Sequence, residues 1–437
     1  MERKMKDSGI PWIGMIPSDW EVCFTKQLMR NKSIKGFPDE QVLSLYRDYG
    51  VVPKNSRDDN HNVTSEDTAT FKLVEVGDFV INKMKAWQGS MAISAYRGII
   101  SPAYYICRFT NESVNRRYIH YLLRNETYKT EYRRLSTGLR VGQWDLNIDD
   151  FLHIPAILPP FPTQQRIADF LDRKCAEIDE LAALQETMIA ELKRYKQSVI
   201  TEAVTKGLAP DVPMKDSGVE WIGEIPEGWE VKRLKNLGYL YGGLTGKSGD
   251  DFNVDDESNC PYMLFIPFTN IFNNSVIDTE QLFKVRIEEG EVQNLVLKND
   301  LLFLMSSEDY DGVGKPAIIE EQIDNLSLNS FCKGFRISNP TVCAKYLFYH
   351  ISSHLIREFI RQEAKGFIRI NLRQDKLACI PVFLPPFSEQ RAIADYLDRK
   401  CAEIDELIAI KQQKIEALKE YKKSVIFECV TGKKEID

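Results

Sequence analysis

No stretch of this 437-residue chain is apolar for the roughly 18–20 residues that a membrane-spanning helix needs, so no membrane partner is expected. Histidine is scarce, five in all, and His350 and His354 stand four apart with no glutamate between them, so no metal site is expected. The nine cysteines are odd in number, scattered and never spaced C-x-x-C. That usage fits reduced thiols and a cytoplasmic setting, not a disulfide framework. The opening Met-Glu-Arg-Lys-Met-Lys leads into Asp-Ser-Gly with none of the apolar core of a signal peptide.

Catalytic signatures are missing as well. Gly-Gly-Leu-Thr-Gly-Lys-Ser at 242–248 resembles a phosphate loop, but Tyr241 stands where that motif needs its first glycine. Ser101-Pro-Ala-Tyr104 departs from an amino-methyltransferase motif at Ala103, and no glycine-rich loop for S-adenosylmethionine precedes it. Pro210-Asp211 with Glu230-Val-Lys232 fits a loose nuclease pattern, yet Glu230 has a duplicate at Glu21 that is followed by Val22-Cys23, without the lysine. No nucleophile stands with a base. The chain itself is expected to carry no catalysis and no cofactor.

What the chain does have is itself, twice. Lys6-Asp-Ser-Gly-Ile-Pro-Trp-Ile-Gly-Met-Ile-Pro-Ser-Asp-Trp-Glu-Val22 returns as Lys215-Asp-Ser-Gly-Val-Glu-Trp-Ile-Gly-Glu-Ile-Pro-Glu-Gly-Trp-Glu-Val231. Leu-Pro-Pro-Phe at 158–161 and Ile-Ala-Asp-Phe-Leu-Asp-Arg-Lys-Cys-Ala-Glu-Ile-Asp-Glu-Leu at 167–181 return, nearly unchanged, at 384–387 and 393–407. The stretches between, 23–157 and 232–383, share almost nothing. Two like frames carry two unlike inserts.

Net charge is −7, but it is unevenly spread. The first insert holds 19 basic and 15 acidic side chains, the frame segment 158–231 holds 8 and 14, and the second insert 17 and 20. Acid in the second insert clusters at 250–257, 288–291 and 320–324, leaving room for a basic face elsewhere. Global charge therefore does not exclude a nucleic-acid partner.

Each insert reads as mixed α and β. Strands are predicted at 71–74, 78–81, 104–109, 262–266, 301–305 and 334–337, and one late helix each at 117–135 and 341–363. A proline-pair strand closes each insert and leads into a long helix, with Thr163 and Ser388 as predicted N-caps and Gly207 and Gly432 at the exits. Leu171, Cys175, Ile178, Ala182, Gln185, Met188, Leu192, Tyr195 and Val199 step by threes and fours, as do Leu397, Cys401, Ile404, Ile408, Leu418, Tyr421 and Val425 apart from a break at the polar residues near Lys411–Lys414. That is a coiled-coil seam. About 42 residues at ~1.5 Å rise make a rod of roughly 60 Å, and an internal repeat most simply pairs its two rods antiparallel. Trp12, Trp20, Trp221 and Trp229 read as packing anchors of the frame. An apolar helix face left without cover predicts poor solubility of the isolated chain.

The repeated entry motif, and the Leu-Pro-Pro-Phe-x-x-Gln/Glu-Gln exit (Gln164-Gln165; Glu389-Gln390), closely resemble the DNA-specificity subunits of type I restriction–modification systems over the whole chain. The resemblance implies an α+β fold in which two mixed α/β target recognition domains are joined by two long antiparallel coiled-coil helices. The corresponding boundaries are 1–157, 158–208, 209–383 and 384–437. It implies that each insert reads one half of a bipartite, asymmetric site in double-stranded DNA, while the helices set the spacer. It also implies two docked methylation subunits and, where the system restricts, restriction subunits. S-adenosylmethionine, ATP and Mg would belong to those partners. A rod of this length would hold two reading heads about two duplex turns apart. The competing reading is a two-headed protein adaptor that binds no DNA.

No family motif assigns the side chains that touch DNA, so candidates come from residue type and loop placement. In the first insert they are Lys83, Lys85, Trp87 and Gln88, then Arg133, Arg134, Ser136, Thr137, Arg140 and Gln143. In the second they are Thr245, Lys247 and Ser248; Ser306, Ser307, Tyr310 and Lys315; and Lys365, Arg369, Asn371 and Arg373. Arginine and glutamine can pair bidentately with base edges, and lysine, serine and threonine commonly take phosphates.

Overall fold

A computed structural model describes residues 3–56, 68–140, 143–252 and 261–436. The chain divides into two compact units, residues 1–186 with 412–437, and residues 187–411. Each unit owns one insert, its frame and part of both long helices.

The frame motif forms a small hairpin, Met5–Asp7 with Met15–Pro17 in the first unit and Met214–Asp216 with Glu224–Pro226 in the second. The strand after it, Glu21–Phe24 or Glu230–Arg233, pairs antiparallel with the proline-pair strand, Pro155–Leu158 or Pro381–Leu384. Entry to and exit from the insert are thus hydrogen-bonded neighbours. That geometry lets one frame carry unlike inserts, because the frame's own pairing is complete whatever lies between.

The inserts, unlike in sequence, share a sheet. In the first, the strand order is Met29–Lys32, Tyr104–Phe109, Phe79–Asn82, Met91–Ile93. In the second it is Gly238–Gly242, Cys332–Ile337, Leu301–Leu304, Pro316–Ile318. All pairings are antiparallel. A buried aspartate locks each sheet: Asp78 accepts two bonds from Arg108 at 2.8 and 2.9 Å, and Asp300 two from Arg336 at 3.0 and 2.6 Å. The second unit adds a three-stranded sheet of Phe283–Arg286, Tyr262–Ile266 and Leu326–Leu328.

The helix expected at 117–135 and its counterpart at 341–363 are each broken into two. Arg116–Arg124 and Glu126–Leu135 break at Asn125, which adopts an extended backbone and caps the second helix by accepting from the Thr127 and Tyr128 N–H groups. Ala344–Ser352 and His354–Glu363 break at Ser353, also extended, whose hydroxyl donates back to the His350 carbonyl at 2.7 Å. Apolar periodicity is blind to such a break, because both pieces bury the same face.

The long helices are Phe161–Lys206 and Phe387–Val430. They begin ahead of Thr163 and Ser388, so neither residue is the N-cap. The Pro160 and Pro386 carbonyls accept the first helical bonds, from Gln164 and Gln390. Within the first unit, Ile167 and Leu171 pack with Val425, Cys429 and Val430, while Asp179 bonds Lys422 at 2.6 Å. In the second, Val199 to Val204 pack with Leu397 and Cys401, while Lys196 bonds Asp405 at 2.6 Å. In each unit the numbering rises along one helix as it falls along the other, so the pair is antiparallel.

The seam itself needs a correction. Leu171, Cys175, Ile178, Val199, Leu397, Cys401, Ile404, Ile408 and Val425 are buried, whereas Met188, Tyr195 and Tyr421 are exposed. The covered stripe continues from Gln185 through Ile189, Leu192 and Lys196, and from Lys411 through Ile415, Leu418 and Lys422. Two successive three-residue steps, 182 to 185 to 188, turn a row off the buried face. An aliphatic lysine stem can occupy a seam position while its ammonium reaches a rim aspartate, which is what Lys196 and Lys422 do.

Gln164 and Gln390 tie the helices to the inserts. Gln164 accepts from the Asn115 N–H (2.8 Å) and donates to the Pro159 carbonyl (2.9 Å). Gln390 accepts from the Cys343 N–H (2.8 Å) and donates to the Pro385 and Thr341 carbonyls (2.9 and 3.0 Å). Gln164 therefore matches Gln390, one register away from the sequence pairing of Gln164-Gln165 with Glu389-Gln390. Gln390→Ala leaves buried backbone groups without partners, so chemical denaturation is expected to show a loss of about 1–3 kcal/mol.

His350 lies fully buried, its Nε2 bonded to the Pro381 carbonyl at 3.0 Å and its ring edge-on to Phe383. Burial depresses its pKa from 6.5 to about 4. The folded state thus binds a proton less readily than the unfolded chain. The stability this confers is complete above pH 6.5 and is lost as pH falls through about 4. Subtracting the melting profile of His350→Gln from that of the parent chain should expose this dependence between those values.

Candidate nucleic-acid interface

In the first unit the strand Phe79–Asn82 ends at Asn82, whose side chain accepts from the Met84 N–H at 3.1 Å. A single 3-10 turn follows, Ala86–Gln88, anchored by buried Ala86 and closed by Gly89 at φ 79°. Met84 and Lys85 stand exposed on it. The second candidate loop is a hairpin, Thr137–Arg140 with Gln143–Asp145. The structure brings the two together: the Leu146 N–H donates to the Lys83 carbonyl at 3.0 Å, and Lys83 Nζ lies 3.5 Å from Asp145. The Trp87 and Trp144 rings meet at 5.2 Å, with the Arg133 guanidinium 5.8 Å above Trp144.

Trp87 is therefore a half-buried surface aromatic whose Nε1–H donates to the Met84 carbonyl, not a core residue. Gln88 is half-buried, and Thr137 and Arg133 are exposed. Arg134 is engaged by Glu131 through two bonds of 2.9 and 2.6 Å, and the Ser136 hydroxyl donates to the Tyr132 carbonyl. The side chains of Arg140 and Gln143 lie outside the described residues. Trp144 was missed by residue-type reasoning, although an aromatic beside Gln143 in a basic loop was a usable signal.

In the second unit Ser306–Ser307 pairs as a strand with Ile370–Asn371, joining the second and third candidate loops. Ser306 and Ser307 are consequently buried, and act in the sheet rather than at the surface. Lys315 donates its ammonium to the Phe272 carbonyl, and burial lowers its pKa. Tyr310, Lys365, Arg369, Asn371 and Arg373 are exposed, Arg373 beside Asp375 at 3.0 Å.

The first candidate loop of this unit is occupied by its own acids. The Lys247 side chain is only 6% exposed and bonds Glu291 at 2.5 Å. Glu291 also accepts from the Glu288 N–H, and these partners hold its carboxyl down to about 2. Thr245 and Ser248, both exposed, use their N–H groups on Gln293 and Asp251. Lys247 is thus a structural ion-pair member rather than a free cation. Of the acidic run 250–257, residues 253–257 lie outside the described residues.

The frame tryptophans divide in two. Trp20 and Trp229 are buried in the cores of their units, Trp20 beside Gly432 and Trp229 beside Gly207. A Cβ on Gly432 would come within 2.4 Å of Pro17, so only glycine lets helix end and frame close there. Trp12 meets Tyr128 edge-on at 4.9 Å, and Trp221, partly exposed, stacks on Phe359 at 5.3 Å.

Two stretches, residues 17–194 and 226–420, match the family described as the type I restriction modification DNA specificity domain. The chain belongs to that family. Each match starts in the frame hairpin and runs into the long helix, so the specificity domain here is the duplicated unit of sequence. The chain is similar to the type I restriction enzyme MjaVIII specificity subunit of Methanocaldococcus jannaschii, 24% identical over 96% of this chain and 93% of that protein. It is 26% identical to the EcoKI specificity subunit of Escherichia coli over 48% of this chain and 44% of that one. In fold it is similar to a chain of a solved type I restriction–modification system, with a TM-score of 0.70 at 15% identity, covering 95% of this chain and 99% of that one. It is also similar to the HsdS subunit of Thermoanaerobacter tengcongensis, with a TM-score of 0.52 at 15% identity, covering 95% and 98%.

Proposed function

We propose that this chain is the non-catalytic, sequence-specific DNA-binding subunit of a type I restriction–modification complex, with each unit reading one half of a bipartite, asymmetric site. The observation that carries this reading is the pairing of one frame and one sheet order with two unrelated sets of loop residues. Two like scaffolds suit one kind of ligand, and two unlike loop sets suit two different sequences on it. Linking two weak readers in one chain makes one long address by avidity.

The exposed helix residues supply a partner surface. Leu181, Leu184 and Tyr421 in the first unit are matched by Leu407, Ile410 and Tyr195 in the second. Such repeated apolar exposure fits two copies of one partner, the methylation subunits. S-adenosylmethionine belongs to them, ATP and Mg to the restriction subunits, and the complex works in the cytoplasm.

The test is to co-express the chain with its methylation subunit and map adenine-N6 methylation across a genome by single-molecule sequencing. The expected result is a split motif, two short dissimilar half-sites with a fixed gap. A continuous or palindromic motif overturns the two-head reading. An assembled complex that methylates nothing favours the protein adaptor.

A further inference from the structure

The second unit holds a short loop whose base is fastened on every side and whose tip is bare. Lys365 and Asn371 exchange backbone hydrogen bonds of 3.0 and 2.9 Å, closing residues 366–370 into a tight turn. Gly366 permits the closure, since a Cβ there would sit 1.9 Å from the Arg369 carbonyl oxygen. That same carbonyl accepts from the Asn371 side chain at 3.1 Å. Ile370 and Leu372 anchor the strand in the core, and Asn371 and Ile370 pair with Ser306 and Ser307. At the tip, Phe367 is 100% exposed and Ile368 86%.

Chain connectivity does not require this exposure, because neighbours on both sides are buried or bonded. A flexible loop could fold such side chains back against the protein, but this one is held out. Its surroundings name the occupant. Residues 364–372 carry Lys365 and Arg369 and no acid, in a chain of net charge −7, while Arg373 beyond them is paired with Asp375. The Arg369 guanidinium is itself held 5.2 Å above the exposed Phe331 ring. An apolar tip flanked by Lys365 and Arg369 complements a polyanion with an apolar interior, which is stacked duplex DNA. Apolar side chains that enter between base steps unstack them and kink the duplex, with basic neighbours on the flanking phosphates.

Building on the DNA-reading role above, we infer that Phe367 and Ile368 form a wedge that enters a base step of the half-site read by the second unit, with Lys365 and Arg369 gripping the adjacent phosphates. Specificity at that step would come from how readily it unstacks, a property of sequence that needs no hydrogen bond to a base edge. Pyrimidine–purine steps, which open most easily, are the expected point of entry.

The experiment uses the complex with its methylation subunits and a duplex bearing the mapped site, with 2-aminopurine placed in turn at each step of both half-sites. With the parent chain, fluorescence is expected to rise at one step of the second unit's half-site other than the adenines to be methylated, which the methylation subunits flip from the stack in both half-sites. Phe367→Ala with Ile368→Ala should abolish that rise and weaken binding about 10- to 100-fold. Phe367→Leu should retain both. Since the tip packs on nothing, the melting temperature should not move. Parent complex that binds with no fluorescence change at any step besides the adenines to be methylated overturns the wedge while leaving the DNA-reading role intact, as does weakened binding with the rise preserved. Loss of complex assembly in the double variant assigns the tip to a methylation subunit and likewise overturns it. Parent complex that shows no salt-dependent DNA binding at all fails the underlying role instead.

Discussion

A chain ended after Lys423 is expected to lose the N-terminal unit and keep the other one folded. Val425, Cys429 and Val430 are almost wholly buried in the first unit's core, among Trp20, Tyr118, Ile167 and Leu171. The Tyr118 hydroxyl donates to both the Ile157 and Val430 carbonyls, at 2.9 and 3.1 Å. Each large apolar residue removed from such a core costs about 2–5 kcal/mol, against a total stability of about 5–15 kcal/mol for a domain. The second unit draws its equivalents from residues 199–204 and does not touch this supply. Hydrogen exchange read by mass spectrometry should show residues 20–157 unprotected and residues 225–405 unchanged. Cys429→Asp should reproduce the effect at full length, since it puts a charge where there is no water. Equal protection of both units in the shortened chain would falsify this account of the core.

Exchanging residues 23–157 for the corresponding insert of another member of the family should change one half of the methylated motif and leave the other half and the gap as they were. The junctions fall in the paired strands Glu21–Phe24 and Pro155–Leu158, whose ladder is made by backbone and survives a change of side chains. The candidate contacts Lys85, Trp87, Arg133 and Thr137 all travel with the insert, while the helices do not. Methylation mapping of the chimera reads both halves in one experiment. Alteration of both halves would mean that reading is shared between units, contrary to the separate cores of residues 1–186 with 412–437 and 187–411.

Much of the architecture was legible because repetition marks it without any appeal to energetics. The paired tryptophan motifs, the proline-pair strands and the two long helices all stand in the chain twice, and the structure has all of them. The strands at 104–109 and 262–266 were legible from β-branched and aromatic content alone. Less legible were places where a single polar group decides. Asn125 and Ser353 split two helices whose apolar periodicity runs on across the break. Lys411 sits in the covered seam, and Met188 and Tyr195 outside it, because helical geometry outranks side-chain polarity in choosing a face. Among the candidate contacts, Lys247 looked like a free cation until Glu291, 44 positions away, was found on it. Phe367 and Ile368 drew no notice beside Lys365 and Arg369, since nothing local says that an apolar pair in a loop will point outward.

By itself the amino-acid sequence determined that this protein is a duplicated frame with two different inserts, an α+β chain with two long helices. Those properties are local or repeated, so they can be read along one dimension. Only the tertiary structure decided that the inserts share one sheet order, that the last turns of the final helix belong to the first unit's core, and which loops meet at each candidate surface. These depend on contacts between residues hundreds of positions apart, as in the bond from Tyr118 to Val430 and the closure of Gly432 on Pro17. Such contacts are selected by packing volume and by the satisfaction of buried polar groups, and neither is written in the order of residues near either end of the contact.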